Sequence, residues 1–383
     1  MLRIHDSRTG TIREIGAGRA LRMYACVPSV DGRPRLGELR PLLVADLIRR
    51  VLERGRVRVL ACRPRGLAPG GSSPETGERD AADLNVRPAE QAPLPDETVL
   101  LAVRLVDALL ERGHAYAVPG GPVLFDAGTY PGLSVDATAG GEEAVGRRSP
   151  GDWVLWRPAG AEPSWESPWG RGVPGPHVAC SGVALGLLGG RVDVHVGGGA
   201  YDDRERAQSD AAAGHEVVRH WVRTAEVSFD GGSVDGGSVD GGSAGGGSGG
   251  GGSAAGVDGG TSLADVVAAG LDPLAVRMAF LEHHHRRPVA LTWDALRAAD
   301  RAVRHWRARV ARWSESPSAP MAAEYVKRVE AAFEDDLDTP GALRVLRELE
   351  EDASVSPGAR FEAFLHVDQV LGLDLSADIG RTP

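Results

Sequence analysis

Hydrophobic positions change period twice within the first sixty-odd residues of the chain. "LRMYACV" (21–27) alternates and is β-rich, the pattern of a buried strand. "GELRPLLVADLIRRVLERG" (37–55) repeats its apolar residues at helical spacing, and Pro41 is tolerable there only in the first turn. "VRVLACR" (57–63) reads as a second strand, so residues 21–63 predict a β-α-β unit opening a parallel sheet. The stretch 65–97 is rich in Gly, Pro and polar residues and reads as loop. A helix over 98–113 follows, then strands at "HAYAV" and "PVLFDAGTY". Next come a small-residue helix at 178–190, a strand over 192–199 that ends in glycines, and a strand at 225–230. From Ser262 onward the spacing is helical almost to the end. The pattern predicts an α/β unit carrying an insertion, then a helical bundle.

Between strand and bundle lies a tract with no pattern at all. Sixteen of the thirty residues 231–260 are glycine, too few side chains to offset the entropy of ordering the segment. Composition narrows the rest. At 383 residues and 42% hydrophobic content the chain can bury one large core or two smaller ones. No run of 18 apolar residues and no leader-like N-terminus is present, so a cytoplasmic protein without membrane spans is expected. Cys26, Cys62 and Cys180 form no CxxC and no disulfide framework, which fits a reducing compartment. The net charge of −10 argues against general attraction to nucleic acid. Lys327 is the single lysine among 43 basic residues, so any mechanism needing two lysines is excluded.

Five blocks then carry a resemblance. "RMYACVPSV", "ERGHAYAVPGGPVLFDAGTYPGLS", "DWVLWRPAGAEPSWESPWGRGVPGPHVACSGVALGLLG", "GGGAYDDRERAQSDAAAG" and "DDLDTPGALRVL" occur in that order over residues 20–374. They resemble cysteinyl-tRNA synthetases, and equally the related ligase that joins cysteine to glucosaminyl-inositol in mycothiol synthesis. The resemblance implies a class I synthetase fold: a Rossmann-like parallel-sheet domain over 1–230 with an insertion at about 64–176, then an all-α domain over 261–383. It implies no anticodon-binding domain after the helices, as in the mycothiol ligase, and tRNA is therefore not an expected partner.

The same resemblance assigns four constellations. The family's HIGH histidines, which stabilise charge on the ATP phosphates, fall on Arg35 and Glu38. A carboxylate at the second position opposes that task. The family's zinc ligands map onto Cys26, Cys180 and Glu205, while its histidine block is shortened and leaves Tyr201 or Asp202 in the neighbourhood. Two thiolates and a carboxylate could hold Zn²⁺ with an open position. The alternative, two ordinary small buried cysteines, is favoured by the missing histidine. In the adenosine pocket Gly197, Gly198 and Gly199 survive, although turns use glycine too. His177 also remains, with a structural role as open to it as a nucleotide-binding one. Finally, the family's KMSKS loop, whose lysines neutralise charge on pyrophosphate, falls on the Gly/Ser tract. Residues 225–262 contain no Lys or Arg, and Asp230, Asp235, Asp240 and Asp258 make the segment anionic.

The expectation is a pseudoenzyme of the cysteine-activating ligase family, with ATP-dependent adenylation lost and cysteine or a cysteine-like molecule as its ligand. An atypical ligase joining cysteine to a small-molecule amine is the second reading, and a module docking on another enzyme the third. Other candidates reduce to structure. "EHHHRR" (282–287) reads as a solvated helix surface, Trp153, Trp156, Trp165 and Trp169 as core of the insertion, and Cys62 as buried and inert. The arginine-rich stretch 295–313 reads as a solvent face or partner contact rather than an RNA site.

Overall fold

The computed structural model describes residues 1–15, 18, 20–26, 34–65, 74–131, 133, 145–161, 163–175, 177–198, 202–230 and 261–381. The Gly/Ser tract, Gly199, Tyr201 and the side chain of Asp202 lie outside the described residues. A hairpin, β1 (Arg3–Asp6) and β2 (Thr11–Glu14), precedes β3 (Ala20–Ala25), α1 (Leu36–Arg54) and β4 (Arg58–Cys62). Then come α2 (Pro74–Asp83), α3 (Pro95–Glu111), β5 (Ala115–Ala117), β6 (Val123–Phe125), β7 (Trp153–Pro158) and β8 (Gly172–Pro174). α4 (Val178–Leu188), β9 (Val192–Gly198), α5 (Asp202–Ala213), β10 (Val218–Thr224) and β11 (Val227–Asp230) complete the first part. After residue 260 follow α6 (Leu263–Ala268), α7 (Leu274–Leu281), β12 (Val289–Thr292), α8 (Trp293–Ser314), α9 (Ala323–Glu334), α10 (Thr339–Glu351) and α11 (Pro357–Leu371).

The central sheet is parallel and runs β10-β9-β3-β4. Chain order leaves β3 toward β4 on one side and returns through β9 to β10 on the other. β3 and β9 therefore flank the switch point, where open α/β sheets place ligands outside the carboxyl ends of their strands. The segment between β4 and α4 supplies a separate antiparallel sheet, β5-β6-β7-β8. Trp153 and Trp156 are buried in the cluster between this sheet, α3 and α5, with Trp165 and Trp169 packed against it.

Several expectations need correction. The 65–97 stretch contains a helix, α2, whose polar sequence "PETGERDAAD" has an amphipathic order hidden by the glycines around it. Pro41 lies at the sixth residue of α1, not in its first turn. Its ring packs on the end of β9, where a Cβ at Gly198 would stand 3.1 Å from Pro41 Cγ. β11 does not join the central sheet; it pairs in parallel with β12. "EHHHRR" is a turn after α7 rather than a helix face, and His285 in it is buried.

One buried polar node joins the parts. Asp46 on α1 accepts bonds from Arg50 Nε at 2.7 Å, Arg277 Nη2 of α7 at 2.6 Å and the Arg87 amide at 3.0 Å. Burial alone would raise the Asp46 pKa, but the charges of Arg277 and Arg50 hold it below the usual carboxylate range. Arg277 is fully buried and also donates to the Leu84 and Leu371 carbonyls, and Arg50 reaches the Gln369 carbonyl.

Removing one member of a buried charge set strands the others, at a cost of about 3–5 kcal/mol. Asp46→Ala should lower stability by that amount in urea unfolding. Arg347→Ala, which breaks an exposed pair with Glu282, should cost less than about 1 kcal/mol. Equal effects of the two changes would contradict the role given to Asp46.

Candidate functional site

Three elements converge at the switch point. Cys26 follows the last residue of β3, Cys180 is the third residue of α4, and Glu205 lies in the first turn of α5. All three are buried. The two sulfurs are 3.0 Å apart, and Cys26 Sγ is 3.4 Å from Glu205 Oε1. All three donor atoms lie within 4.8 Å of one another.

Two histidines fix the carboxylate. His177 Nδ1 donates to Oε1 at 2.9 Å, and His195 Nε2 donates to Oε2 at 2.8 Å. His177 is the N-cap of α4 and holds a left-handed backbone, φ +69°, which costs a non-glycine residue of the order of 1–2 kcal/mol. The structure thus places His177 against Glu205. His195 sits in β9 with its ring 4.4 Å from Trp221 and 5.2 Å from Tyr24. It was not among the residues that the sequence singled out. The signal available was an imidazole flanked by the buried valines Val194 and Val196 in the run "VDVHV" of a central strand.

Burial should push the Glu205 pKa up, yet the His195 charge and the bonds from His177 and His195 hold it at about 2. Glu205 is therefore an anion next to two thiols. The bond to Cys180, then burial and the Glu205 charge, raise the Cys26 thiol well above its ordinary range. A cation among the three groups would reverse that balance, since metal binding deprotonates thiols. Soft sulfur donors, one carboxylate and histidines bonded behind that carboxylate form a set suited to zinc. Among the described residues, Trp221 Nε1 and His195 Nδ1 are buried beside this cluster without hydrogen-bond partners. The residues present fit the metal.

The phosphate side is built differently. Arg35 is the exposed N-cap of α1, and Glu38 Oε2 accepts the Arg35 backbone N–H at 2.7 Å. The carboxylate thus occupies the helix end that would otherwise attract an anion. The chain re-emerges from the Gly/Ser tract at this spot: Leu36 N donates to Thr261 O at 3.1 Å, and Arg35 bridges Ser262. Gly197 is buried, accepting from Thr224 Oγ1 at 3.3 Å, and Gly198 has its own packing reason in Pro41. Gly199 lies outside the described residues. Lys327 is on α9, paired with Glu324 at 3.0 Å.

A second trio, His284, His285 and Asp336, is a poorer metal site. Asp336 already accepts Arg286 Nε at 2.7 Å and the His5 amide at 2.8 Å. His284 Nδ1 accepts the Arg286 amide at 3.3 Å, leaving Nε2 as the protonated nitrogen of the neutral ring. Four arginines of α8 face carboxylates, Arg297 to Asp294, Arg304 to Asp300, Arg307 to Asp272 and Arg309 to Glu350. Cys62 is buried in β4, and burial pushes its thiol up to about 12.

A carboxylate whose pKa is depressed on folding stabilises the fold above its unfolded pKa, and that contribution is lost as pH falls through the folded one. For Glu205 the window runs from 4.5 down to about 2. Metal-free protein should lose stability across that window, and Glu205→Gln should flatten the loss, read by urea titration at about pH 5 and about pH 3. An unchanged slope in the variant would refute the assignment.

Comparison with known proteins now bears on this geometry. The family profile for tRNA synthetases class I (C), catalytic domain, matches residues 74–235. The cysteine–tRNA ligase of Alkalilimnicola ehrlichii is 30% identical over 389 residues, covering 92% of this chain and 80% of its own. The L-cysteine:1D-myo-inositol 2-amino-2-deoxy-alpha-D-glucopyranoside ligase of Thermomonospora curvata is 30% identical over 420 residues, covering 98% of this chain and 94% of its own. The Mycobacterium tuberculosis methionyl-tRNA synthetase in complex with methionyl-adenylate superposes with a TM-score of 0.52 at 13% identity, covering 92% of this chain and 90% of that one. That likeness concerns the fold alone, an α/β class I synthetase fold with a parallel sheet and added helices. No helix among the described residues is long and apolar enough to cross a membrane. With relatives of this identity matched over 80% and 94% of their own length, the chain belongs to the cysteinyl-tRNA synthetase-like family.

Proposed function

We propose that this chain is a cysteine-binding member of its family in which adenylation of the amino acid has been lost. The observation that carries this reading is the split between the two halves of the site. On the thiol side, Cys26, Cys180 and a Glu205 braced by two histidines converge in a buried cluster. On the phosphate side, the end of α1 carries its own carboxylate, Glu38, and the segment joining β11 to α6 contains no basic residue.

Cys26, Cys180 and Glu205 would hold the zinc ion. When bound with a fourth position open, zinc supplies a soft Lewis acid for the thiolate of free cysteine. His177 and His195 keep Glu205 ionised and aimed at the metal, as hydrogen-bonded groups behind a ligand do. ATP has no such provision. Adenylate formation requires positive charge on the phosphates as the pyrophosphate leaves, and loss of one donor of that kind costs about 10²–10³ in rate.

Cysteine-dependent ATP–pyrophosphate exchange should therefore be undetectable. Replacing Arg35 and Glu38 by histidine together should not restore it, because the connecting segment still lacks its cations. Exchange within about tenfold of an ordinary cysteine–tRNA ligase would overturn the loss of adenylation. It would favour the second reading, a ligase joining cysteine to a small-molecule amine. That reading draws on the Thermomonospora curvata ligase, whose length is matched at 94%.

The metal is tested separately. Purified protein should carry about one zinc per chain, lost in Cys26→Ser together with the calorimetric signal for cysteine. His195→Ala should weaken zinc by about 10–100-fold while the central sheet stays folded by circular dichroism. Protein that neither contains zinc nor takes it up would leave the cysteines as core residues and end the proposal.

A further inference from the structure

The two thiols of the cluster allow a chemistry separate from metal binding. Their sulfurs are 3.0 Å apart, just past the end of β3 and in the first turn of α4. A covalent S–S bond is about 2.05 Å long, so closure needs an approach of roughly 1 Å. The third cysteine, Cys62, is 1% exposed in β4.

We propose that Cys26 and Cys180 form a reversible disulfide by exchange with a small-molecule disulfide, and that this modification competes with metal for the same sulfurs. Cys26, the more exposed of the two at 9% against 3%, makes the first attack. The minor fraction of Cys26 that has given its proton to solvent bonds one sulfur of the small disulfide and expels the other half as a thiolate, leaving a mixed disulfide on Cys26. Cys180 then attacks the Cys26 sulfur and expels the second small thiolate. The protein gives up two electrons and two protons, and the small disulfide is reduced to two thiols. No further oxidant is needed.

The consequence follows from donor chemistry. Thiolates, not disulfide sulfurs, are the metal ligands, so the oxidised chain retains only Glu205 of the three donors. A zinc-loaded chain has both sulfurs occupied and resists exchange. The inference uses the same thiols as the proposed cysteine site but does not depend on that site's function, and the measurements keep the two apart.

The full-length chain, stripped of metal by chelation and with its zinc content measured, is incubated with cystine and then alkylated. Intact mass of a sample taken before alkylation should fall by about 2 Da, the two hydrogens lost in one disulfide. Peptide mapping without reductant should show a Cys26–Cys180 cross-link that dithiothreitol reverses. Pre-loading with zinc should slow its formation at least about tenfold. Cys62→Ser should behave as the parent chain, and Cys180→Ser should stop at one adduct on Cys26. Should Cys180→Ser fail to fold, the map of the parent chain decides. An unchanged mass, a cross-link to Cys62, or a mixed disulfide that never resolves would each overturn the inference. A chain that holds no zinc yet closes this disulfide keeps the disulfide but loses the zinc reading and the competition with metal; one that holds zinc and never closes keeps the zinc reading and overturns the inference.

Discussion

A buried carboxylate on the first long helix governs how this molecule is assembled. Asp46 lies between Arg50 of its own helix and Arg277 of α7, and the arginines spend their remaining donors on carbonyls at Leu84, Asn85, Gln369 and Leu371. α1 is thereby held in two cores at once. Val44, Ala45 and Ile48 pack with the central sheet, while Leu39, Leu42, Leu43 and Leu47 pack with the helices after residue 260. Arg40, fully buried on the same helix, adds bonds to the carbonyls of Ala225, His284 and Arg287. Burial lowers its pKa to about 10, so it stays charged at neutral pH. Such a helix cannot shift without breaking charge pairs that have no water to replace them. Its N-terminus, with Arg35 and Glu38, is therefore fixed relative to the sheet that carries Cys26.

That fixed frame explains how the two halves of the site could diverge. The thiol cluster draws on β3, α4, α5 and β9, each anchored in the sheet and its flanking helices. The phosphate side draws on the end of α1 and the connection between β11 and Thr261. On the proposed reading, exchanging basic groups for other residues there leaves the buried thiol cluster untouched. The same change among Cys180, His195 or Glu205 would leave buried polar groups without partners, which costs far more.

The sequence was most readable where its pattern and its chemistry coincided. β3, α1, β4, α4 and β9 stand within one or two residues of the hydrophobic periodicity. Cys26, Cys180 and Glu205 could be named because the resemblance carries them across 179 positions of chain. Polar elements escaped. α2 and α5 present "PETGERDAAD" and "DDRERAQSDAAA", too charged for an apolar stripe, and β10 hides as "VRHWVRT" with arginines at its exposed and half-buried positions. His195 escaped for another reason. A central parallel strand is buried on both faces, so its pattern cannot show which position points at chemistry. "EHHHRR" misled because helical spacing continued past the true end of α7 at Leu281.

Binding and catalysis make different demands on such a site. A group contributes to rate only if it holds the transition state more tightly than the ground state, and the charge that grows during adenylate formation lies on phosphate. The thiol cluster sees no part of that charge. In the proposed function it would meet the amino-acid side chain, which is the same before and after activation. On the proposed reading, loss of the phosphate half would remove nearly all of the differential stabilisation and leave ground-state recognition of a thiol. The proposed function thus asks for changes at one helix end and one connection only. The residues to watch for retained selection of ligand are then Cys26, Cys180, Glu205 and the two histidines that hold Glu205 as an anion.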